Sequence, residues 1–257
     1  MRLLVKLGGT LLDSVESRRR LADELTAVAN SGVELAVVHG GGKQMTRFLA
    51  ERGVESRFVG GLRVTTPEVL DAVLKVFAGT VNHELVASFV AAGARPVGLT
   101  GIDAVLAEAE PMDEALGAVG RLVRSDGGLL RVLTANRYLP VVACVAGDRQ
   151  GRIYNVNADQ MAAACASGFS ADRLYFLTDV DGVRDSSGSV LPRLTVEESE
   201  GLIRSGVATG GMQAKLTAVM EALRNGIGEV VIAGGGVAGI TAKLLSGDGN
   251  GTHCFLN

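Results

Sequence analysis

The segment Leu3–Gly9, which reads LLVKLGG, begins the chain with a short apolar run that ends in two glycines. Leu21, Leu25 and Val28 follow at helical spacing, and a second apolar run occupies Leu35–Val38. A strand, a helix and a strand in this order predict a parallel βαβ unit. Parallel strands are buried on both faces and read as continuous apolar runs, as these two do. The opening of the chain therefore predicts an α/β protein.

The same alternation of strand and helix patterns continues to the end of the chain. A second helical stripe is formed by Val69, Val73 and Val76. Four further aliphatic runs predict strands at Pro96–Leu99, Leu139–Cys144, Leu174–Leu177 and Glu229–Ala233. We therefore predict an α/β fold, a three-layer αβα sandwich with a mostly parallel central sheet.

Four shorter regions do not follow this alternation. Val54–Thr66 contains two adjacent glycines between short apolar pairs and predicts a small hairpin that stands off the main sheet. In Gly117–Arg131, glycines, charges and aliphatic residues alternate, which predicts short antiparallel strands or loops. Asp185–Ser189 and Gly247–Gly251 have the composition of turns.

The composition limits the kind of protein. With 257 residues, of which 47% are hydrophobic and 21% charged, the chain is typical of a globular enzyme with one large domain or two closely joined lobes. Its net charge of -3 gives no general attraction to nucleic acid or to acidic lipid. An anionic ligand therefore has to be held by a local site.

The cysteines and the N-terminus indicate a cellular compartment. Cys144, Cys165 and Cys254 are widely spaced and form no Cys-x-x-Cys pair, so we expect free thiols and neither a disulfide framework nor a zinc site. The first apolar run is too short for a signal peptide, and no apolar run approaches the length that spans a bilayer. These features predict a cytoplasmic protein that binds no membrane.

Three glycine-rich stretches each follow an apolar run: Gly8–Thr10, Gly40–Gly42 and Gly234–Gly236. Backbone amides at such turns can approach a phosphate or a carboxylate closely, because no Cβ stands in the way. Each stretch alone is a weak signal. For Gly234–Gly236, a tight turn is the better explanation.

Well-known glycine motifs do not fit these stretches. Gly234–Gly239 has the G-x-G-x-x-G spacing of dinucleotide-binding folds, but too little chain follows to complete the βαβ unit. His39–Gly42 is similar to the oxyanion loop of lipases, yet the sequence has no G-x-S-x-G nucleophile motif. Lys43 is followed by Gln44 in place of serine or threonine, so no Walker A loop is present. A phosphoryl-transfer enzyme with this sequence would not be a P-loop enzyme.

Two lysines and an aspartate lie near predicted turns. Only five of the 25 basic residues are lysine, so a lysine at a particular place is mildly informative. Lys6 lies within the first apolar run, Lys215 lies about one turn into a predicted helix, and Asp159 precedes the helical run Met161–Ser167. The alternatives are a lysine that reaches solvent from a strand end, a lysine on an exposed helix face, and a helix cap.

Taken together, these segments resemble the amino acid kinase family over essentially the whole chain. The segments that carry the resemblance are Val5–Gly9, Val38–Gly42, Gly61–Thr65, Asn155–Asp159, Leu177–Val183 and Gly210–Lys215, in family order. The most similar branch of the family phosphorylates N-acetyl-L-glutamate. The resemblance implies that the γ-phosphoryl group of ATP moves to the side-chain carboxylate of this acceptor in arginine biosynthesis, with Mg²⁺ held mainly by the nucleotide phosphates.

The resemblance also implies roles for individual residues. Lys6 and Lys215 would contact the transferred phosphoryl group, and Asp159 would orient them. Arg63 and Asn155 would bind the α-carboxylate and the acylamino group, since arginine is suited to bidentate carboxylate recognition. The other implied substrate residues are Gly41, Gly42 and Asn157, and the implied ATP residues are Gly8, Gly9, Thr178, Asp179, Asp181, Gly182, Val183, Val207, Thr209 and Gly211. No metal ligand from the protein is implied.

At the level of the whole chain, the resemblance implies two lobes and a homodimer. Residues 1–171 would bind the acylated amino acid and dimerise, and residues 172–257 would bind ATP. Gly101–Ala104 departs from the usual family sequence, which leaves the contacts near that loop open. Relatives inhibited by arginine carry an additional helix before the first strand, so we expect no strong inhibition by arginine here.

Two alternative functions remain. The acceptor could be a related molecule, namely glutamate, aspartate, N-succinylglutamate or a carrier-linked aminoadipate. The chain could also be a non-catalytic sensor of nucleotide or amino acid on the same fold. The presence of Lys6, Asp159 and Lys215 counts against the sensor, because a binding protein has no need of a phosphoryl-transfer site.

Overall fold

An eight-stranded sheet forms the centre of the protein in the computed structural model, which describes residues 1–257. The strands of the protein are β1 (Arg2–Leu7), β2 (Glu34–His39), β3 (Phe58–Val59), β4 (Leu62–Arg63), β5 (Pro96–Thr100), β6 (Ala107–Pro111), β7 (Gly120–Ser125), β8 (Leu139–Ala143), β9 (Val145–Gly147), β10 (Ile153–Asn155), β11 (Arg173–Thr178), β12 (Arg193–Thr195), β13 (Glu229–Gly234) and β14 (Thr252–Phe255). Across the central sheet the order is β12-β14-β13-β11-β1-β2-β8-β5. All neighbouring pairs are parallel except β13 and β14.

Helices cover both faces of this sheet. They are α1 (Val15–Asn30), α2 (Gly42–Ala50), α3 (Pro67–Val73), α4 (Asn82–Ala91), α5 (Gly128–Ala135), α6 (Ala158–Phe169), α7 (Val196–Arg204), α8 (Gly210–Arg224) and α9 (Ile240–Ser246). One layer packs α1 against α4 and α9, and the other packs α6 against α5 and α8. The predicted α/β class, the mostly parallel sheet and the two helical layers are confirmed.

All six strands predicted for the main sheet are present, to within two residues at each end. The central strand β1 shows why an apolar run predicted a strand, because Leu3, Leu4, Val5 and Leu7 are completely buried. A strand covered by helices on both faces has no solvent side and therefore no polar alternation.

The prediction for Gly117–Arg131 is partly wrong. β7 pairs antiparallel with β6 in a separate four-stranded sheet, as expected for short strands. The last residues of the segment belong to helix α5, which begins at Gly128. Asp126 Oδ1 accepts a hydrogen bond from the Gly128 amide at 2.9 Å, and this local bond supports the start of a helix that the glycines had obscured.

The predicted hairpin is present as β3 and β4, which form a two-stranded sheet of their own. The turn between them uses Gly60 and Gly61 at φ values of 57° and 80°. Positive φ at both central residues is the requirement of the tight two-residue turn, which explains the glycine pair. Phe58 and Val59 remain about half exposed.

The expectation that no apolar segment reaches spanning length needs a correction. A continuous helical segment from Pro67 to Ala91 is 25 residues long and apolar enough, by length and composition, to cross a membrane. It consists of α3, a π-helical stretch at Leu74–Val81, and α4. Here α4 packs against α1 and β5, which is the behaviour of a core helix.

The predicted division at residues 171 and 172 falls within the continuous central sheet. Residues 1–171 supply β1, β2, β5 and β8, and residues 172–257 supply β11 to β14. The two groups meet where β1 pairs with β11. The functions assigned to the two lobes stay predictions.

Candidate active site

Lys6, Asp159 and Lys215 meet at the carboxyl end of β1. Lys6 Nζ lies 2.7 Å from Asp159 Oδ1, and Lys215 Nζ donates a hydrogen bond to Asp159 Oδ2 at 2.9 Å. The exposed fractions of the three side chains are only 9%, 8% and 11% for Lys6, Lys215 and Asp159. Neither lysine takes the alternative position predicted for it, on a solvated strand end or helix face.

The local structure of α6 explains how Asp159 reaches this position. Asn157 is the N-cap of the helix, and its Oδ1 accepts hydrogen bonds from the amides of Asp159 and Gln160 at 2.9 and 3.2 Å. The helix cap is therefore Asn157 and not Asp159, and the side-chain oxygen of Asn157 is used by the helix. Asp159 is left in the first turn, free to receive the two ammonium groups.

The three charges do not balance. Burial tends to raise the pKa of Asp159, but the ammonium groups of Lys6 and Lys215 outweigh this and hold that pKa at about 2. Burial lowers the pKa of Lys215, the neighbouring Lys6 lowers it further, and Asp159 opposes both. One carboxylate thus stays ionised between two cations, so the cluster has a surplus positive charge that an anionic ligand can neutralise.

Glycine amides face the same region. A Cβ added to Gly9 would lie 3.2 Å from the amide nitrogen of Gly42 and 3.5 Å from that of Gly41, so the two turns are in close approach. The amides of Gly9, Gly41 and Gly42 donate no hydrogen bond within the protein. Unpaired amides at the start of α2 are suited to anionic oxygens.

The Gly8 amide is paired within the protein, and the predicted contact of Gly8 with ATP stays a prediction. This amide donates a hydrogen bond to Leu177 O at 2.8 Å and so continues the ladder between β1 and β11. Because a backbone N–H carries one proton, it is not free for a phosphate. Gly8 still lines the cleft described next.

Two adjoining cavities lie beside Lys6 and the two glycine turns. The larger has a volume of about 750 Å³, and its lining includes Lys6, Gly9, Lys43, Thr178 and Asp179. The smaller, of about 150 Å³, is lined by Gly40, Gly41, Gly42, Phe58, Gly61, Leu62, Arg63, Phe77, Val119, Cys144, Asn155, Val156, Asn157 and Ala158. Gly42, Phe58 and Arg63 line both, so the cavities are neighbours.

Arg63 projects from the hairpin between the two cavities. Its guanidinium bonds Thr46 Oγ1 at 2.8 Å and Gly42 O at 3.2 Å, contacts Ser56, and lies over the Phe58 ring at 4.6 Å. Burial lowers the pKa of Arg63. The guanidinium is therefore held in place by neutral partners, with no carboxylate to neutralise it.

The predicted ATP residues other than Gly8 and Gly9 fall into three groups. Thr178 and Asp179 line the larger cavity, and Thr178 Oγ1 donates a hydrogen bond to Asp179 Oδ1 at 3.1 Å. Val207, Thr209 and Gly211 are exposed around the start of α8 and do not line either cavity. The third group, Asp181 to Val183, forms the loop after β11.

Val183 lies inside the protein and lines neither cavity, and its predicted contact with ATP stays a prediction. Its side chain is completely buried, its amide donates to Thr252 Oγ1 at 2.8 Å, and its carbonyl accepts from Leu191 at 2.8 Å. Every polar atom of Val183 is therefore used inside the protein. A Cβ on the neighbouring Gly182 would lie 2.6 Å from Thr252 Oγ1, so close packing explains the glycine at this position.

The sequence reasoning missed two residues that support the glycine turn. His39 is completely buried at the end of β2, with Nδ1 donating to Gly40 O at 2.8 Å and Nε2 accepting from Asn82 Nδ2 at 2.9 Å. Burial lowers the pKa of His39 to about 4 although the bond to Gly40 acts in the opposite direction. A polar residue at the end of an apolar strand, directly before the glycines, was the available signal.

A parallel α/β sheet that brings two buried ammonium groups together at the end of β1, beside a cleft lined by Lys6 and by glycines with unpaired amides, has the equipment to transfer a phosphoryl group. The class defined by the fold and the site is a phosphotransferase. The model of the amino acid kinase family matches residues 1–234, and the chain belongs to this family. The family expected from the sequence is confirmed.

Similar proteins extend this result. An acetylglutamate kinase from Solibacter usitatus (strain Ellin6076) is 64% identical over 252 residues, which covers 98% of each chain. An acetylglutamate kinase from Koribacter versatilis (strain Ellin345) is 41% identical over 234 residues, or 90% of each chain. The crystal structure of N-acetylglutamate synthase from Neisseria gonorrhoeae, complexed with coenzyme A and N-acetyl-glutamate, superposes with a TM-score of 0.87 at 24% identity, over 99% of this chain and 59% of that one. The last likeness concerns the fold alone.

Proposed function

We propose that the protein is an acetylglutamate kinase, which transfers the γ-phosphoryl group of ATP to the side-chain carboxylate of N-acetyl-L-glutamate and forms an acyl phosphate in arginine biosynthesis. The observation that carries the proposal is the pair of lysines on Asp159, with Lys6 lining the same cavity as Gly9 and Gly42, whose amides are unpaired. The 64% identity with an acetylglutamate kinase over nearly the full length supports the choice of acceptor.

The chemistry follows from the charges. A carboxylate that attacks ATP brings two anions together, so catalysis consists mainly of positioning and charge cancellation. Lys6 and Lys215 neutralise the phosphoryl group in transfer, and the amides of Gly9, Gly41 and Gly42 bind its oxygens or those of the attacking carboxylate. Asp159 touches neither reactant and holds the two ammonium groups apart at a fixed spacing. An ionised carboxylate needs no general base, and no covalent enzyme intermediate is involved.

The two cavities suit the two substrates. ATP phosphates occupy the larger cavity, beside Lys6 and Thr178, and the acceptor occupies the smaller one. Arg63 lies at their junction and binds the α-carboxylate of the acceptor, for which its planar guanidinium is suited. Asn155 binds the acylamino group from the floor of the smaller cavity.

Mg²⁺ accompanies ATP in this proposal and neutralises part of the phosphate charge. The protein has no group of three or more histidine, cysteine, aspartate or glutamate side chains that could hold a metal ion. The cleft instead offers ammonium and amide donors, which fit phosphate oxygens. The nucleotide phosphates therefore provide most of the ligands for the ion.

We further propose a cytoplasmic homodimer with a substrate lobe at residues 1–171 and an ATP lobe at residues 172–257. β5 forms an open edge of the central sheet, and Val90 on the neighbouring α4 is 59% exposed. An unpaired edge beside exposed apolar surface is suited to contact with a second copy. Sedimentation equilibrium of the purified protein tests the dimer.

The acceptor is tested by trapping the acyl phosphate with hydroxylamine. Purified protein with ATP and Mg²⁺ is offered N-acetyl-L-glutamate, N-succinylglutamate, glutamate and aspartate in parallel. We expect hydroxamate and ADP with N-acetyl-L-glutamate at the highest kcat/KM. A higher kcat/KM for another acceptor would replace the proposed substrate, and ATP binding without any acceptor-dependent ADP release would favour a sensor.

A further inference from the structure

Thr65, which follows the hairpin, is held rigidly although no role was predicted for it. The residue is completely buried, its amide donates to Leu116 O at 2.8 Å, and its carbonyl accepts from the Ala118 amide at 2.7 Å. Gly117 lies between these partners at a φ of 65°, and a Cβ there would lie 2.4 Å from Thr65 O. Only glycine allows so close an approach.

The segment Leu116–Ala118 also connects Thr65 to Asn155. The amide of Asn155 donates to Ala118 O at 2.9 Å, so the backbones of both residues are fixed by Ala118. Their side chains meet directly, with Asn155 Nδ2 donating to Thr65 Oγ1 at 3.0 Å. Thr65 Oγ1 in turn donates to Arg63 O at 2.9 Å. The hydroxyl therefore bridges the two residues assigned to the acceptor.

These bonds determine which way the Asn155 amide faces. A threonine hydroxyl carries one proton, and this proton is used by Arg63 O, so toward Asn155 the hydroxyl can only accept. The NH₂ of Asn155 must then face Thr65, and Oδ1 must face away from it. Asn155 Oδ1 receives no hydrogen bond from the protein and is not among the fully buried unsatisfied atoms, and Asn155 lines the smaller cavity.

We propose that Thr65 is a positioning residue that makes the site select an acceptor with an amide N–H. By fixing Asn155 Oδ1 toward the smaller cavity, Thr65 presents a hydrogen-bond acceptor to the N–H of the acylamino group. This inference rests on the proposed function. It adds that Asn155 Oδ1 is the atom that distinguishes an N-acyl from an O-acyl acceptor. An ester oxygen at that place would oppose two lone pairs and leave Oδ1 without a donor.

The probe is 2-acetoxyglutarate, in which an ester oxygen replaces the amide N–H and every charge is retained. We expect wild-type kcat/KM to favour N-acetyl-L-glutamate over this ester by about 100-fold. This preference is smaller than that of sites which strongly reject a substrate without the donor, because solvent reaches Oδ1 of Asn155. In Thr65→Val, which keeps the shape and removes the hydroxyl, the Asn155 amide can turn. The preference should then fall to about tenfold or less, whereas Thr65→Ser should keep the wild-type preference.

The outcomes separate this inference from the proposed function. If wild-type protein phosphorylates no N-acetyl-L-glutamate, the proposed function fails. If it does so and the ratio of the two kcat/KM values is the same in wild type, Thr65→Val and Thr65→Ser, Thr65 has only a structural role and the inference is overturned. Equal wild-type rates for the amide and the ester would overturn it as well.

If Thr65→Val does not fold, the variant Asn155→Asp provides a second test of the inference. In Asn155→Asp both side-chain oxygens accept, so the preference for the amide should remain while overall kcat/KM falls. Both substrates carry the same charges, so the added repulsion cancels in the ratio. Loss of the amide preference in folded Asn155→Asp, with thermal melting as the check on folding, would contradict the inference.

Discussion

Two glycine-rich turns follow parallel strands of one sheet and have opposite environments. The turn at Gly40–Gly42 leaves two amides unpaired opposite Gly9 and close to the buried lysines. In the turn at Gly234–Gly236, the Gly235 amide donates to Thr178 O at 2.8 Å, and a Cβ on this residue would lie 2.3 Å from Leu11 Cδ1. Gly41 and Gly42 of the first turn also line a cavity, whereas Gly235 of the second turn is packed against the core. The two turns therefore differ in the amide at their centre, which is unpaired at Gly41 and paired at Gly235.

The largest expected effect is the loss of kcat when one of the two buried ammonium groups near the first turn is removed. We expect Lys6→Ala and Lys215→Ala each to lower kcat on the order of 100-fold or more, the scale for a preorganised charge-stabilising donor. Lys243→Ala is the matched control, because Lys243 is exposed on α9, the helix that follows the second turn. Steady-state kinetics with folding checked by circular dichroism measures the effect. Near-normal kcat in both active-site variants would exclude their assignment.

The first turn also depends on a buried histidine, which makes it sensitive to acid. The pKa of His39 is about 4 in the folded protein, below the ordinary 6.5. Its contribution to stability is therefore complete above pH 6.5 and is lost as the pH falls toward 4, with about 2 kcal/mol lost at pH 5. Protonation would place a proton on Nε2 against the Asn82 donor.

Urea unfolding at pH 7.5 and pH 5 measures this loss in the wild type and in His39→Gln. We expect the difference between the two pH values to shrink by about 2 kcal/mol in the variant, because glutamine has no proton to gain. His83→Gln is the control, since His83 is exposed on α4 and should leave the difference unchanged. An identical pH dependence in wild type and His39→Gln would show that His39 is not the group that titrates.

Adding one methyl group to each turn should separate activity from stability. Gly9→Ala places a Cβ against the amides of Gly41 and Gly42, so we expect kcat to fall on the order of tenfold with little change in the free energy of unfolding. Gly235→Ala presses on Leu11 and should lower the free energy of unfolding by about 1 kcal/mol, with kcat nearly unchanged. Kinetics and urea unfolding of both variants test this. A loss of kcat in Gly235→Ala equal to that in Gly9→Ala would remove the distinction between the turns.

The sequence predicted the sheet well because burial leaves a direct pattern. The buried parts of strands such as β1 and β11 are largely apolar runs, and these runs between helical stripes identify the strands. The hairpin was also predictable, because Gly60 and Gly61 are what its turn requires. Helix α5 was missed in part because its first residue is a glycine and its N-terminal support comes from Asp126 through a local bond.

The site was harder to predict because its properties depend on pairing across the chain. Lys6 and Lys215 meet Asp159 from sequence distances that no local pattern encodes, and only the family resemblance indicated this pairing in advance of the geometry. Resemblance could not show which amides are free: Gly8 is used by Leu177 and Gly9 is not. It also assigned Val183 to ATP, although burial commits that residue to the core.

The smallest effect concerns the charged anchor of the second turn. Arg20 Nη2 donates to Gly235 O at 2.6 Å and Nη1 to Glu24 Oε1 at 2.8 Å, and the same Glu24 oxygen accepts from the Gly239 amide at 2.9 Å. We expect Arg20→Met, which keeps the aliphatic stem, to lower the free energy of unfolding by about 1 kcal/mol and to leave kcat within twofold. Arg204→Met is the control, since its pair with Glu200 is exposed and should contribute less than about 0.5 kcal/mol. Because the central amide of the second turn, that of Gly235, is paired with Thr178 O, a large loss of kcat in Arg20→Met without loss of stability would mean that this turn also acts on the substrates.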